Sequence, residues 1–184
     1  MIDKRDVQES IDSYLGDSEI QILKTIDKRT LALFLSKKVQ LNTSYFVRGT
    51  EKLLNQFKAY YLVLSNKESI RLKHGKYMIS EYAQHLTQQT LDDDIGVEEL
   101  LFLYSHDNES KLGNSELWLT TTIINEVANR TRKGYTTIIL SERSIPDIEK
   151  SKEVKVINLL SNNKKYTLKK VTENIGHKSS NNYY

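Results

Sequence analysis

Cysteine is absent from this chain of 184 residues, proline occurs only at Pro146, and there are seven glycines. Without cysteine there is no disulfide framework and no thiolate chemistry, which fits an intracellular setting. So little proline and glycine argues against long flexible linkers. No run approaches the roughly 20 apolar residues that a membrane span needs. The start, Met1-Ile2-Asp3-Lys4-Arg5-Asp6, lacks the basic region followed by an apolar stretch of a secretory leader. The expected location is cytoplasmic, with no membrane partner.

What is present is ordinary for one globular domain with a real core: 38% hydrophobic and 28% charged residues. The net charge of +3 and a pI near 8.8 describe a lysine-rich surface with a mild bias toward anionic partners. The basic excess is partly C-terminal, at Lys164, Lys165, Lys169, Lys170, His177 and Lys178.

Apolar periodicity supplies the elements. Val7, Ile11 and Leu15 predict a short helix over 4–15 that Gly16 ends, and Ile20, Leu23 and Ile26 continue an apolar pattern. Asp27 stands where an N-cap would start a second helix through Leu31, Leu33, Phe34 and Leu35. Ser44 to Arg48 is aromatic and β-branched and reads as a strand ending at Gly49. Leu53, Leu54 and Phe57 then recur at helical spacing, and the continuous run Ala59–Leu64 suits a strand buried on both faces. Further strands are expected at 76–80, 100–104, 136–140 and 154–159. Helices are expected at 81–89 and 115–132, the second turning Leu117, Ile124 and Val127 inward and closing at Gly134. Such alternation predicts a three-layer α/β sandwich around a mainly parallel sheet. Ligands of such sheets bind at the carboxyl ends of the strands.

Those ends carry the candidate chemistry. Gly49-Thr50-Glu51-Lys52 follows a strand and opens a helix, the place of a phosphate loop. That loop needs several glycines to turn N–H groups onto phosphates, a lysine for their charge, and a following hydroxyl for magnesium. Here there is one glycine, and Leu53 follows Lys52. After the apolar run Leu100–Leu103, Tyr104 and Ser105 fill the two places where metal-binding acids would stand. Asp107 and Glu109 come later, beside His106, and read as capping or surface residues. Asp92-Asp93-Asp94 reads as a solvated turn or cap. Ser141-Glu142-Arg143 makes the next strand end polar; Arg143 is either half of a surface pair with Glu142 or a contact for a partner's acid or phosphate. Arg130, Arg132 and Lys133 complement a helix dipole or touch nucleic-acid phosphates. The four histidines are scattered, so neither a zinc site nor any other resident metal or cofactor is expected.

From Lys76 to about Leu160 the order of these segments resembles the AAA+ ATPase core of helicase loaders of the DnaC/DnaI/IstB type. KYMISEYAQHL precedes the strand LLFLYSHD, a helix ends in basic residues (LWLTTTIINEVANRTRKG), and a sensor-like strand follows (TTIILSERSIP). The resemblance implies a P-loop/AAA+-like fold for a core over 39–160, and the apolar pattern and charge of the flanks add a helical N-terminal extension over 1–38 and a basic, partly disordered segment over 161–184. It also implies a degenerate nucleotide site at Gly49, Lys52, Tyr104, Ser105, Asp107 and Ser141, since Ser141-Glu142 replaces the family's Ser-Asn. The function so implied is a non-catalytic adaptor or regulatory subunit in DNA replication or mobile-element maintenance. It would need no cofactor and would bind another replication protein or ATPase subunit. Arg48, Lys52, Lys58, Arg130, Arg132, Lys133 and Arg143 are the residues expected to meet that partner, or DNA or RNA. A second, shorter resemblance, VRGTEKLLNQFKAYYLVLS, is to L7Ae-type RNA-binding proteins, and implies phosphate contacts from Gly49, Thr50, Glu51 and Lys58. A third reading is a nucleotide-independent enzyme using Asp107 or Glu109.

Overall fold

The computed structural model describes residues 17–67, 74–88, 99–105 and 116–160. The helix expected over 4–15, Asp92–Asp94, His106, Asp107, Glu109 and the basic segment from 161 onward lie outside them. In chain order the elements are α1 (Asp17–Lys24), α2 (Lys28–Ser36), β1 (Tyr45–Arg48), α3 (Glu51–Lys67), β2 (His74–Met78), α4 (Ile79–Gln88), β3 (Leu100–Ser105), α5 (Glu116–Arg132), β4 (Thr136–Ser141), α6 (Pro146–Glu149) and β5 (Lys155–Asn158). They fall into two compact units, one holding residues 42–54 and 74–157, the other 17–41, 55–67 and 158–160.

The first unit holds the sheet, with strand order β2-β3-β4-β1-β5. The ladders β2–β3, β3–β4 and β1–β4 are all parallel, the α/β arrangement expected from sequence. Every residue of β3 and β4 is buried, so both faces of the central strands are covered. On one face Phe46, Leu101, Leu103 and Ile139 pack with Ile79, Tyr82 and Ala83 of α4, with Leu119, Ile123 and Val127 of α5, and with Ile145 and Ile148 at α6. Leu117, expected among the inward residues of α5, is 70% exposed. The buried set 119–123–127 instead follows the i, i+4, i+8 row of the helix, and Leu117 falls off that row. Gly134 ends α5 as expected, at φ +79, with its amide donating to the Thr131 carbonyl.

Two boundaries differ from expectation. β2 occupies 74–78 and α4 begins at Ile79, two residues before the expected start. Ala59–Leu64 lies inside the helix α3, not in a strand. A short apolar run carries no period of its own, and here the helix started at Glu51 continues through it. Thr50 Oγ1 accepts from the Leu53 amide at 3.3 Å at the helix start, and Ser65 Oγ donates to the Tyr61 carbonyl at 2.9 Å, the i−4 bond of a helical serine.

In the second unit Asp27 caps α2, its Oδ1 accepting from the Thr30 amide at 2.7 Å. The Phe34 ring meets Phe57 edge-on at 5.5 Å and lies 5.3 Å from Tyr60. Gln56 Nε2 donates to the carbonyl and hydroxyl of Thr25 at 3.2 and 3.0 Å, and Lys58 Nζ lies 3.2 Å from Glu19 Oε1. Among the described residues no helix is long and apolar enough to cross a membrane.

Candidate functional site at the carboxyl ends of the strands

β1 and β4 are neighbours whose onward connections lead apart. The chain leaves β1 for β2 at one edge of the sheet and leaves β4 for β5 at the other. The carboxyl ends of these two strands therefore form the switch point at which open parallel sheets place ligands. The residues found there are Arg48 and Gly49 on one side and Ser141, Glu142 and Arg143 on the other.

Register and alternation build a polar row across three strands. Arg48 pairs with Ser141, and Ser141 pairs with Ser105. Phe46, Ile139 and Leu103 lie in the core on the α4–α5 face, so the residues two further on, Arg48, Ser141 and Ser105, turn to that same face. Ser105 and Ser141 are fully buried, while Arg48 and Arg143 are half-buried. Arg143 Nε lies 3.4 Å from Ser105 Oγ. Ser141 Oγ donates to the Arg143 carbonyl at 2.6 Å and accepts from its amide at 3.2 Å, folding the chain back directly after β4. The Glu142 amide donates to the Ser105 carbonyl at 3.2 Å. Arg48 Nε is buried and, among the described residues, has no hydrogen-bond partner.

The phosphate-loop position is occupied differently from a phosphate cradle. The Gly49 amide donates to the Ser141 carbonyl at 3.1 Å, so this N–H closes the sheet end. Thr50 is exposed and caps α3, and Lys52 is exposed on the first turn. Tyr104 and Ser105, at the strand end where paired acids were sought, are both buried. Asp107, also expected at this site, lies outside the described residues. Gly49, Ser105 and Ser141 are thus brought together, joined by Arg48 and Arg143, which the sequence reading had grouped separately as partner contacts.

Two of the cations expected to face a partner are structural instead. Arg130 is 1% exposed, donating from Nε to Thr137 Oγ1 at 2.9 Å and from Nη2 to the Thr136 carbonyl at 3.1 Å. Its guanidinium carbon also sits 5.5 Å from the centre of the Tyr135 ring. Lys58 is 6% exposed and ion-paired with Glu19. Both expectations treated basic residues as surface residues, whereas the helix phases of α5 and α3 turn these two inward. The helix that carries Arg130 ends at Arg132, and Arg132 and the following Lys133 are exposed, with Arg132 Nη1 donating to Asn129 Oδ1 at 2.9 Å.

Sequence reasoning missed the Arg48–Ser141–Ser105 row, because a row across strands depends on strand order and register. The signal that was present is the common placement of Arg48, Ser105 and Ser141 at the ends of apolar runs.

No protein-family model and no curated protein matches the chain. Among solved structures it is similar to a DNA replication initiation factor, at 13% identity and a TM-score of 0.40 over 81% of this chain and 48% of that one. It is similar to the replication initiator DnaA bound to AMPPCP and single-stranded DNA, at 12% identity and a TM-score of 0.40, with the same coverage. The chain thus spans about half the length of these two proteins. It is also similar to a candidate primosome component from Streptococcus pyogenes serotype M3, at 17% identity and a TM-score of 0.42 over 94% of this chain and 92% of that one. Likeness of this depth transfers no function.

Proposed function

We propose that this chain is a non-catalytic, AAA+-like adaptor or regulatory subunit that acts on a DNA replication or mobile-element protein through protein–protein contacts. The observation that carries this reading is the Gly49–Ser141 hydrogen bond at the switch point, 3.1 Å long. In a phosphate loop that amide and its neighbours point at the ligand; here it holds β1 to the end of β4. Tyr104 and Ser105 lie buried where two carboxylates would hold magnesium, and neither offers the hard anionic oxygens that this ion selects. On this reading the scaffold of a helicase loader is kept, while the groups that handle nucleotide are replaced. Such a protein acts by binding.

Arg132 and Lys133, exposed at the end of α5, and Lys52 at the start of α3 are the cations placed to meet a partner or nucleic acid. The RNA-binding alternative placed Lys58 on a phosphate, and its pairing with Glu19 favours the adaptor reading instead.

The test is capture of the tagged chain from its native cell after mild crosslinking, with and without nuclease. A replicative helicase, or the ATPase that loads it, should be recovered and survive nuclease. Recovery of nucleic acid alone, or of no replication protein, would overturn the reading.

A further inference from the structure

We infer that the Arg48–Ser141–Ser105 row is an oxyanion-binding site, recognising a carboxylate or a phosphate, at the switch point of the sheet. The inference deepens the adaptor reading and rests on it for one point, that the natural source of the anion is an acidic side chain of the bound protein.

Four side chains make the case. Arg48 and Ser141 are register partners on neighbouring strands, and Ser105 is the partner of Ser141 on the next. Three strands at ordinary spacing place the Arg48 and Ser105 backbones about 10 Å apart. Arg143 returns to the Ser105 end of this row through its Nε–Oγ contact of 3.4 Å. The row is thus two buried hydroxyls with a half-buried guanidinium at each end, and none of its four members is an acid.

Arg48 points to a ligand most directly. Its Nε is buried and, among the described residues, unpartnered. Buried donors are nearly always satisfied, and one left bare costs the desolvation of a charged group. A guanidinium edge made of Nε and one Nη matches the two oxygens of a carboxylate or phosphate, and such paired, charge-assisted bonds are the strong ones. The serines act as positioning residues. Ser141 fixes the turn that carries Arg143, and Ser105 holds the Arg143 guanidinium.

Glu142, Asp147 and Glu149 are the carboxylates nearest in sequence to Arg143, and Glu149 Oε2 accepts from Ser144 Oγ at 2.5 Å. They define the competition that an incoming anion meets, so binding should strengthen when Glu142 is replaced by glutamine.

The experiment titrates the isolated full chain, at constant ionic strength, with inorganic phosphate and separately with a fluorescein-labelled tetraglutamate peptide. Saturable binding of at least one probe is expected, weakened tenfold or more by Arg48→Ala and by Arg143→Ala and unchanged by replacement of an exposed lysine outside the row, Lys28→Ala. Arg48→Lys and Arg143→Lys keep the charge and guard against a folding defect. They should stay folded by circular dichroism and still bind several-fold more weakly, because an ammonium lacks the paired donors. Peptide binding identifies a protein carboxylate as the source, and phosphate binding alone identifies a small anion. Absence of saturable binding by both probes, or binding that neither arginine variant weakens, overturns the proposal. No partner protein is present, so the result stands apart from the capture experiment.

Discussion

Arg130, near the C-terminal end of α5, donates from its Nε to the hydroxyl of Thr137 on β4 at 2.9 Å, fully buried. The same guanidinium satisfies the Thr136 carbonyl, so one side chain ties a helix end to the start of the next strand. Replacement by alanine leaves a buried carbonyl and hydroxyl bare and opens a cavity, for an expected loss of about 3 kcal/mol. Arg130→Lys should recover only part of this, since an ammonium cannot reproduce the fork. The exposed Arg132→Ala should stay within about 0.5 kcal/mol of the parent. Urea unfolding of the three variants checks the order, and equal effects of Arg130→Ala and Arg132→Ala would refute the structural role.

Lys58 and Glu19 form a second inward pair, with side chains 8% and 18% exposed. Removing one partner strands a charge with little water around it. Lys58→Met should therefore cost about 3 kcal/mol, while the double variant with Glu19→Leu should recover much of that. A double-mutant cycle on urea midpoints reads the coupling. A coupling energy near zero would place Lys58 back among the surface cations.

Two groups in the second unit, Lys37 and Tyr60, oppose each other in alkali. Lys37 Nζ donates to the Asn158 carbonyl at 3.1 Å, and burial lowers its pKa below the ordinary 10.5. Between that lowered value and 10.5 the unfolded chain holds a proton that the folded chain has released, so this group makes stability rise with pH. Tyr60 packs against Phe34 and Phe57, and burial raises its pKa above 10.0. Above that pH the unfolded chain ionises while the folded chain keeps its proton, so this group makes stability fall. Lys37→Met should remove the rise, and Tyr60→Phe should flatten the decline. Urea midpoints from about pH 8 to about pH 11 test both, and slopes unchanged by either variant would contradict the assignment.

The sheet was legible wherever a strand is a bounded, β-rich run. Thr136–Leu140 and Leu100–Tyr104 each fall one residue short of the observed strands β4 and β3. Asp27 and Gly134 were legible because capping and left-handed termination are local chemistry. Ala59–Leu64 was misread because burial on all sides erases the period that separates helix from strand. The candidate site was half legible. The single glycine at Gly49 and the non-acidic pair Tyr104 and Ser105 stand in the sequence, but the strand order that sets Arg48 beside Ser141 does not. The burial of Arg130 and Lys58 was likewise set by packing, which composition cannot report.

Magnesium-dependent nucleotide binding is the property that the adaptor account denies most specifically. The decisive measurement is the melting temperature of the full chain with ATP, compared in the presence of magnesium and of EDTA. Magnesium neutralises part of the phosphate charge and so weakens any contact of ATP with the arginine row, which leaves a magnesium-dependent rise as the mark of a nucleotide–metal site. The account predicts a melting temperature no higher with magnesium than with EDTA. A magnesium-dependent rise that saturates with ATP would contradict it.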